Sequence, residues 1–111
     1  MLTLPAFEWV RPLSLDALLT FLAAHGPESM VVAGGTDAVP NLKHRLHEPR
    51  YVVHIGGVPE LGGFQNEPDA LHMGPLVSLS RIASDAVIRT DFPSLAKAAG
   101  LVAGPQLRNM G

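Results

Sequence analysis

Along the chain the apolar positions change their period several times, and each change predicts an element. "FEWVRP" (Phe7 to Pro12) reads as a short extended segment. Ser14 then offers a helix N-cap, and Asp16 falls in the first turn, where the helix dipole favours a carboxylate. Leu15, Leu18, Leu19 and Leu22 recur at i, i+3, i+4 and i+7, which predicts a helix packed on a core by its leucine stripe and closed by Gly26. Met30 to Ala33 form a short apolar run ending at Gly34-Gly35, as a buried strand would, and "RYVVHIGG" (Arg50 to Gly57) reads as a second buried strand. Between them Val39, Leu42 and Leu46 have helical spacing, with Pro40 in the first turn, where N–H groups have no partner inside the helix. Strand, helix, strand over this distance predicts a small parallel β-α-β arrangement with a right-handed crossover.

Further on, Gly63 to Gln65 and Ala70 to Met73 read as two extended pieces joined by an Asn-Glu-Pro-Asp turn. Ser78 caps a predicted helix carrying Leu79, Ile82, Ala83 and Ala86. A last helix is predicted from Pro93, with Leu95, Ala98, Ala99 and Val102 on one face, and "AGPQLRNMG" reads as loop. No repeat or linker interrupts this order, so the pattern predicts one α+β unit.

Composition changes the picture mainly by exclusion. At 111 residues, 47% hydrophobic and 16% charged, the chain suits a single greasy globular domain. A chain of this size buries roughly two thirds of the surface it exposes when unfolded. A net charge of −2 and a pI near 6.2 give no electrostatic footprint for nucleic acid or an anionic membrane. With no cysteine there is no disulfide, iron–sulfur or thiolate metal site in these residues. No apolar run reaches the length of a membrane span, and "MLTLPAFEWV" lacks the features of a leader, so a soluble cytoplasmic protein is expected.

Candidate chemistry concentrates in "VVAGGTDAVPNLKHRL", Val31 to Leu46. A strand that delivers Gly34-Gly35-Thr36 into a helix start exposes backbone N–H groups that the helix cannot use. Glycines allow close approach to the main chain, and Thr36 adds a hydroxyl donor suited to a phosphate oxygen. Asp37 would repel a phosphate at contact distance and is assigned to capping, or to a hydrogen bond just beyond the phosphates. The same spacing suits a plain Gly-rich turn. It matches neither the G-x-G-x-x-G of a Rossmann dinucleotide site nor a P-loop. Lys43, His44, Arg45, His47 and Arg50 form a basic cluster, read as a solvated face balanced by Glu48. His44 and His47 lack a third ligand of suitable spacing, so no metal site is assigned. Ser78, Ser80 and Ser84 are read as caps, with no catalytic residue among them. Phe7 and Trp9 are expected to pack on the first helix.

"FEWVRPLSLDALLTFLAAHG", "VVAGGTDAVPNLKHRLHEPRYVVHIGGVPEL", "MGPLVSLSRIASD" and "FPSLAKAAGLVAGPQLRNMG" resemble, in order and spacing, the N-terminal region of a known subunit type. It is the FAD-binding (medium, or β) subunit of molybdopterin-dependent hydroxylases and dehydrogenases, the xanthine dehydrogenase family. "AGGTDAVPNLK" is most similar to 4-hydroxybenzoyl-CoA reductase. The resemblance implies the N-terminal lobe of a vanillyl-alcohol-oxidase-like (PCMH-type) FAD domain, a three-stranded parallel sheet with helices. It implies that Ala33, Gly34, Gly35, Thr36 and Asp37 hold the FAD pyrophosphate, flanked by Val31, Val32 and Ala38, with Val102 near the flavin. Molybdopterin-binding and iron–sulfur partner subunits or domains follow from it as well. Where the family carries a carboxylate or amide after the second strand's hydrophobes, this chain has His54.

The family's second Gly-rich motif would begin just after Met110-Gly111. The chain is therefore expected to be a fragment, a truncated product or half of a split subunit that binds FAD weakly or not at all alone. An alternative reading is a non-catalytic interface module without flavin, whose exposed core-facing surface associates with itself or a partner. A binder of another phosphate ligand through the same loop is a third.

Overall fold

A three-stranded parallel sheet of order β1-β3-β2 organises the first half of the chain, from β1 (Glu8–Val10), β2 (Ser29–Val32) and β3 (Tyr51–His54). The computed structural model describes residues 3–36 and 38–111, which divide into two compact units, Met1–Leu61 and Gly62–Gly111. Trp9 and Met30 both flank Val52, and Val32 flanks His54. As the central strand β3 is covered on both faces, which is why Tyr51, Val52 and Val53 are all buried. On one face Phe21 of α1 (Leu15–His25) meets Tyr51 edge-on at 5.2 Å. Side chains alternate, so Val52 points the other way. There Leu42 of α2 (Ala38–Lys43) packs on Val32 and Val52, closed by Phe7, Met30 and Ala38.

Ser14 caps α1 as its sequence predicts, its Oγ accepting from Ala17 N–H at 3.1 Å. Glu60 Oε2 takes the Leu15 N–H at 2.9 Å, satisfying a second donor of the first turn. Gly26 closes α1 as expected: it is the C-cap, right-handed (φ −51, ψ −49), and it opens a 3₁₀ turn, Gly26–Glu28. Three expectations need correcting in this unit. Leu19 is exposed while Leu18 is buried, so the buried stripe is narrower than the leucine spacing suggests. Leu46 lies outside α2 and is 66% exposed, because Arg45 turns the chain at φ 55. Phe7 packs against Val32, Leu42 and Val52, while Trp9, 56% exposed, stacks on His54 instead of packing on α1.

The second unit begins with an antiparallel hairpin of β4 (Phe64–Glu67) and β5 (Ala70–Met73), turning at Pro68-Asp69. Four short helices follow: α3 (Leu79–Ser84), α4 (Ala86–Asp91), α5 (Pro93–Gly100) and α6 (Pro105–Met110). Ser78 Oγ accepts from Arg81 N–H at 3.2 Å, the predicted cap. Ala86, expected in the same helix, belongs to α4 instead. Asp85 stops α3 at ψ 130 and then caps α4, its Oδ1 accepting from Val87 and Ile88 N–H at 2.9 and 3.2 Å. Ile88 becomes fully buried as a result. In α5 the buried residues are Ala96 and Ala99, and Leu95 is exposed, so the apolar face is rotated from the expected one. The tail expected to be loop forms α6, opened by Pro105. Arg108 Nη1 donates to the Val102 and Ala103 carbonyls, both at 3.1 Å, bracing the turn before it. No helix among the described residues is long and apolar enough to cross a membrane.

Candidate functional site

The first unit presents its C-terminal strand ends along one edge, the edge at which ligands meet open parallel sheets. Val32 ends β2, and its carbonyl accepts from Ile55 N–H at 3.0 Å, so the departing loop starts directly beside the end of β3. Ala33 is exposed, and Gly34, Gly35 and Thr36 are half-buried. Gly35 adopts φ +73, a left-handed conformation that suits glycine. A Cβ there would lie 3.0 Å from Val39 Cγ2 and 3.6 Å from Val32 Cγ1. The Gly35 carbonyl accepts from Val39 N–H at 3.1 Å and so starts α2.

The N–H groups of Gly34, Gly35 and Thr36 donate to no acceptor among the described residues. Successive unpaired amides around a left-handed residue form a concave nest that suits an anion. The donors, the absent Cβ and the Thr36 hydroxyl fit a diphosphate. Because α2 has only six residues, the loop amides carry this fit rather than a helix dipole.

The residues singled out from sequence fall into three groups. Val31 to Thr36 and Ala38 are contiguous, but they do different jobs. Val32 and Ala38 pack into the core cluster and hold the strand end and helix start, while Val31 is exposed. Asp37 lies outside the described residues. Val102 belongs to the second unit, in the turn after α5, where it is exposed. The basic cluster is an exposed face in which Arg45 pairs with Glu48 at 3.0 Å and Arg50 approaches Glu28 at 4.0 Å. No group of three His, Asp or Glu residues among the described residues could hold a metal.

A second cluster on the same edge escapes the sequence reading. Trp9 and His54 stack with ring centroids 5.3 Å apart and planes inclined by 22°. The imidazole lies over Gly56, where a Cβ would come within 2.6 Å of His54 Cε1. Arg11 lies over Gly57, where a Cβ would sit 3.2 Å from its Nε. Arg11 is exposed and makes no ion pair with a described residue. The signal was present in the sequence: β3, like β2, runs into a Gly-Gly pair within two residues of its end.

Comparison with known proteins shows the family and the fold. Residues 5–111 match the family model described as the FAD binding domain in molybdopterin dehydrogenase. The chain is 32% identical over 107 residues to the carbon monoxide dehydrogenase medium chain of Hydrogenophaga pseudoflava, covering 96% of this chain and 37% of that one. It is 33% identical over 90 residues to the xanthine dehydrogenase FAD-binding subunit of Escherichia coli O157:H7, covering 80% and 31%. Among solved structures, carbon monoxide dehydrogenase from Hydrogenophaga pseudoflava superimposes with a TM-score of 0.91 at 31% identity, over 98% of this chain and 38% of that one. Quinoline 2-oxidoreductase from Pseudomonas putida 86 gives 0.90 at 31% identity, again over 98% and 38%. The chain thus spans about a third of the length of these relatives.

Proposed function

Because the chain belongs to the FAD-binding domain family of molybdopterin dehydrogenases, we propose that the Ala33–Thr36 loop holds the pyrophosphate of FAD in an oxidoreductase medium subunit. The observation that carries this is the run of unpaired N–H groups at Gly34, Gly35 and Thr36 around a left-handed glycine. FAD supplies the redox chemistry when bound, taking up and passing on electrons at its ring system. The chain's own residues bind and orient. Gly34, Gly35 and Thr36 N–H donate to the diphosphate, and the Thr36 hydroxyl adds a donor. Val32 and Ala38, fixed in the core, keep the loop open at that place. Asp37 lies next to these donors in sequence, where a carboxylate serves the cap or a hydroxyl beyond the phosphates.

Within the family, the resemblance of "AGGTDAVPNLK" favours a complex of the 4-hydroxybenzoyl-CoA reductase type. Molybdopterin and iron–sulfur groups then reside in partner subunits, Val102 faces the flavin, and the complex works in the cytoplasm. The chain by itself takes up FAD weakly or not at all. Isothermal titration of the 111-residue chain with FAD tests this reading. Weak saturable binding that is lost in Gly35→Val, whose side chain meets Val39 and strains a left-handed backbone, supports the loop assignment. Tight stoichiometric uptake contradicts the expected weakness, and binding that Gly35→Val leaves intact contradicts the assignment.

A further inference from the structure

The second unit carries a cavity of its own. Its volume is about 310 Å³, and Ala83, Arg89, Pro93, Ala96 and Lys97 line it. These residues come from α3, α4 and α5. Arg89, Pro93 and Lys97 recur at intervals of four, and Pro93 and Lys97 lie one turn apart on α5. Small residues give the cavity its depth. Ala96 is buried and Ala83 half-buried, and α3 comes so near α5 that a Cβ on Gly100 would lie 3.6 Å from Ala83 Cβ. Longer side chains at 83 and 96 would fill the space.

The charged part of the lining is entirely cationic. Neither the Arg89 nor the Lys97 side chain makes an ion pair, hydrogen bond or ring contact with a described residue. Other arginines are placed differently. Arg45 meets Glu48 at 3.0 Å, Arg81 lies over the Phe64 ring at 4.4 Å, and Arg108 donates to two carbonyls. Asp85, between α3 and α4, uses its Oδ1 on the two amides of the α4 cap. Two like charges around one cavity repel, and an anion between them turns that repulsion into two attractions. The start of α5 adds to the effect. Pro93 opens that helix with no side-chain cap, and the Ser94 N–H has no acceptor among the described residues. A guanidinium offers two parallel donors and an ammonium three, which suits the tetrahedral oxygens of a phosphoryl group.

We propose that the cavity between α3, α4 and α5 binds a phosphoryl anion, as free phosphate or as the phosphate of a small phosphomonoester. Arg89 takes two of its oxygens and Lys97 a third. The volume stands at the small end of ligand cavities, so it admits the phosphate and a few carbons. The site shares no residue with the Ala33–Thr36 loop and stands or falls separately.

Amide nitrogen–proton NMR of the 111-residue chain is the test, with inorganic phosphate, glycerol 3-phosphate and sodium chloride titrated at constant ionic strength. Phosphate is expected to shift the Ser94, Ala96 and Lys97 amides together and saturably. Arg89→Gln should weaken this binding roughly tenfold, the worth of one hydrogen bond to a charged group, with Arg89→Lys intermediate. Lys97→Gln should weaken it less, because an ammonium acts as a point charge. Gly35→Val should leave it unchanged. Tighter binding of glycerol 3-phosphate supports a phosphomonoester as the ligand, and equal binding supports the free ion. Shifts confined to Gly34–Thr36 overturn the cavity assignment and leave the loop assignment standing. Shifts in α5 that chloride reproduces, or that Arg89→Gln leaves at wild-type affinity, overturn it as well. So does a spectrum in which the α5 amides do not move.

Discussion

The two units treat their backbone donors differently. In the second, Ser78 caps α3, Asp85 takes two N–H groups at the start of α4, and prolines open α5 and α6, where an N–H would lack a partner. In the first, Ser14 and Glu60 satisfy the opening turn of α1 with equal care. Yet three successive amides between β2 and α2 find no acceptor among the described residues. A chain that satisfies its helix starts elsewhere and leaves these donors open keeps them for something outside itself. On the proposed function, the contrast separates a part of the molecule built for stability from one built around a ligand.

The sharpest way to break that contrast is to empty each core. Leu42 lies under the loop, 2% exposed, and Ile88 is the buried anchor of α4. Leu42→Ala and Ile88→Ala are each expected to cost about 2–5 kcal/mol in chemical denaturation. Only Leu42→Ala should also weaken FAD, because it removes the support of Val32. Loss of FAD from folded Ile88→Ala would break the distinction.

Gly35→Ala comes next. The left-handed backbone alone costs an alanine about 1–2 kcal/mol, and the 3.0 Å approach to Val39 adds to it. Both stability and FAD titration should register this change. Asp85→Ala should cost about 0.5–2 kcal/mol in thermal unfolding through the lost cap and leave FAD affinity alone. Glu48→Gln is the smallest. Its partner Arg45 is an exposed cation, and such pairs contribute about 0–1 kcal/mol. A larger loss in denaturation would show that the basic face does more than meet solvent.

How much of this was legible in the sequence depended on what fixes each element. The β2–α2–β3 order could be read because buried parallel strands are continuous apolar runs, and the glycines mark where the first run must turn. The six-residue helices α4 and α6 could not. At that length helices are set by caps and packing more than by period, and Asp85 both ends one helix and starts the next. Exposure on an edge strand also has no period, so Trp9 read as core. The Gly34-Gly35-Thr36 motif was visible, but its two decisive properties, the left-handed Gly35 and the unpaired amides, belong to the backbone. Trp9 and His54 are far apart in sequence and meet only through the parallel register of β1 and β3. The family resemblance supplied the cofactor, which spacing alone left open between a turn and an anion site.

The most direct test of the central claim is an amide nitrogen–proton NMR titration of the chain with FAD, read residue by residue. The account predicts that the Gly34, Gly35 and Thr36 amide protons move downfield together and saturate, as free donors acquiring a phosphate acceptor. Saturable shifts that leave those three amides in place would contradict it.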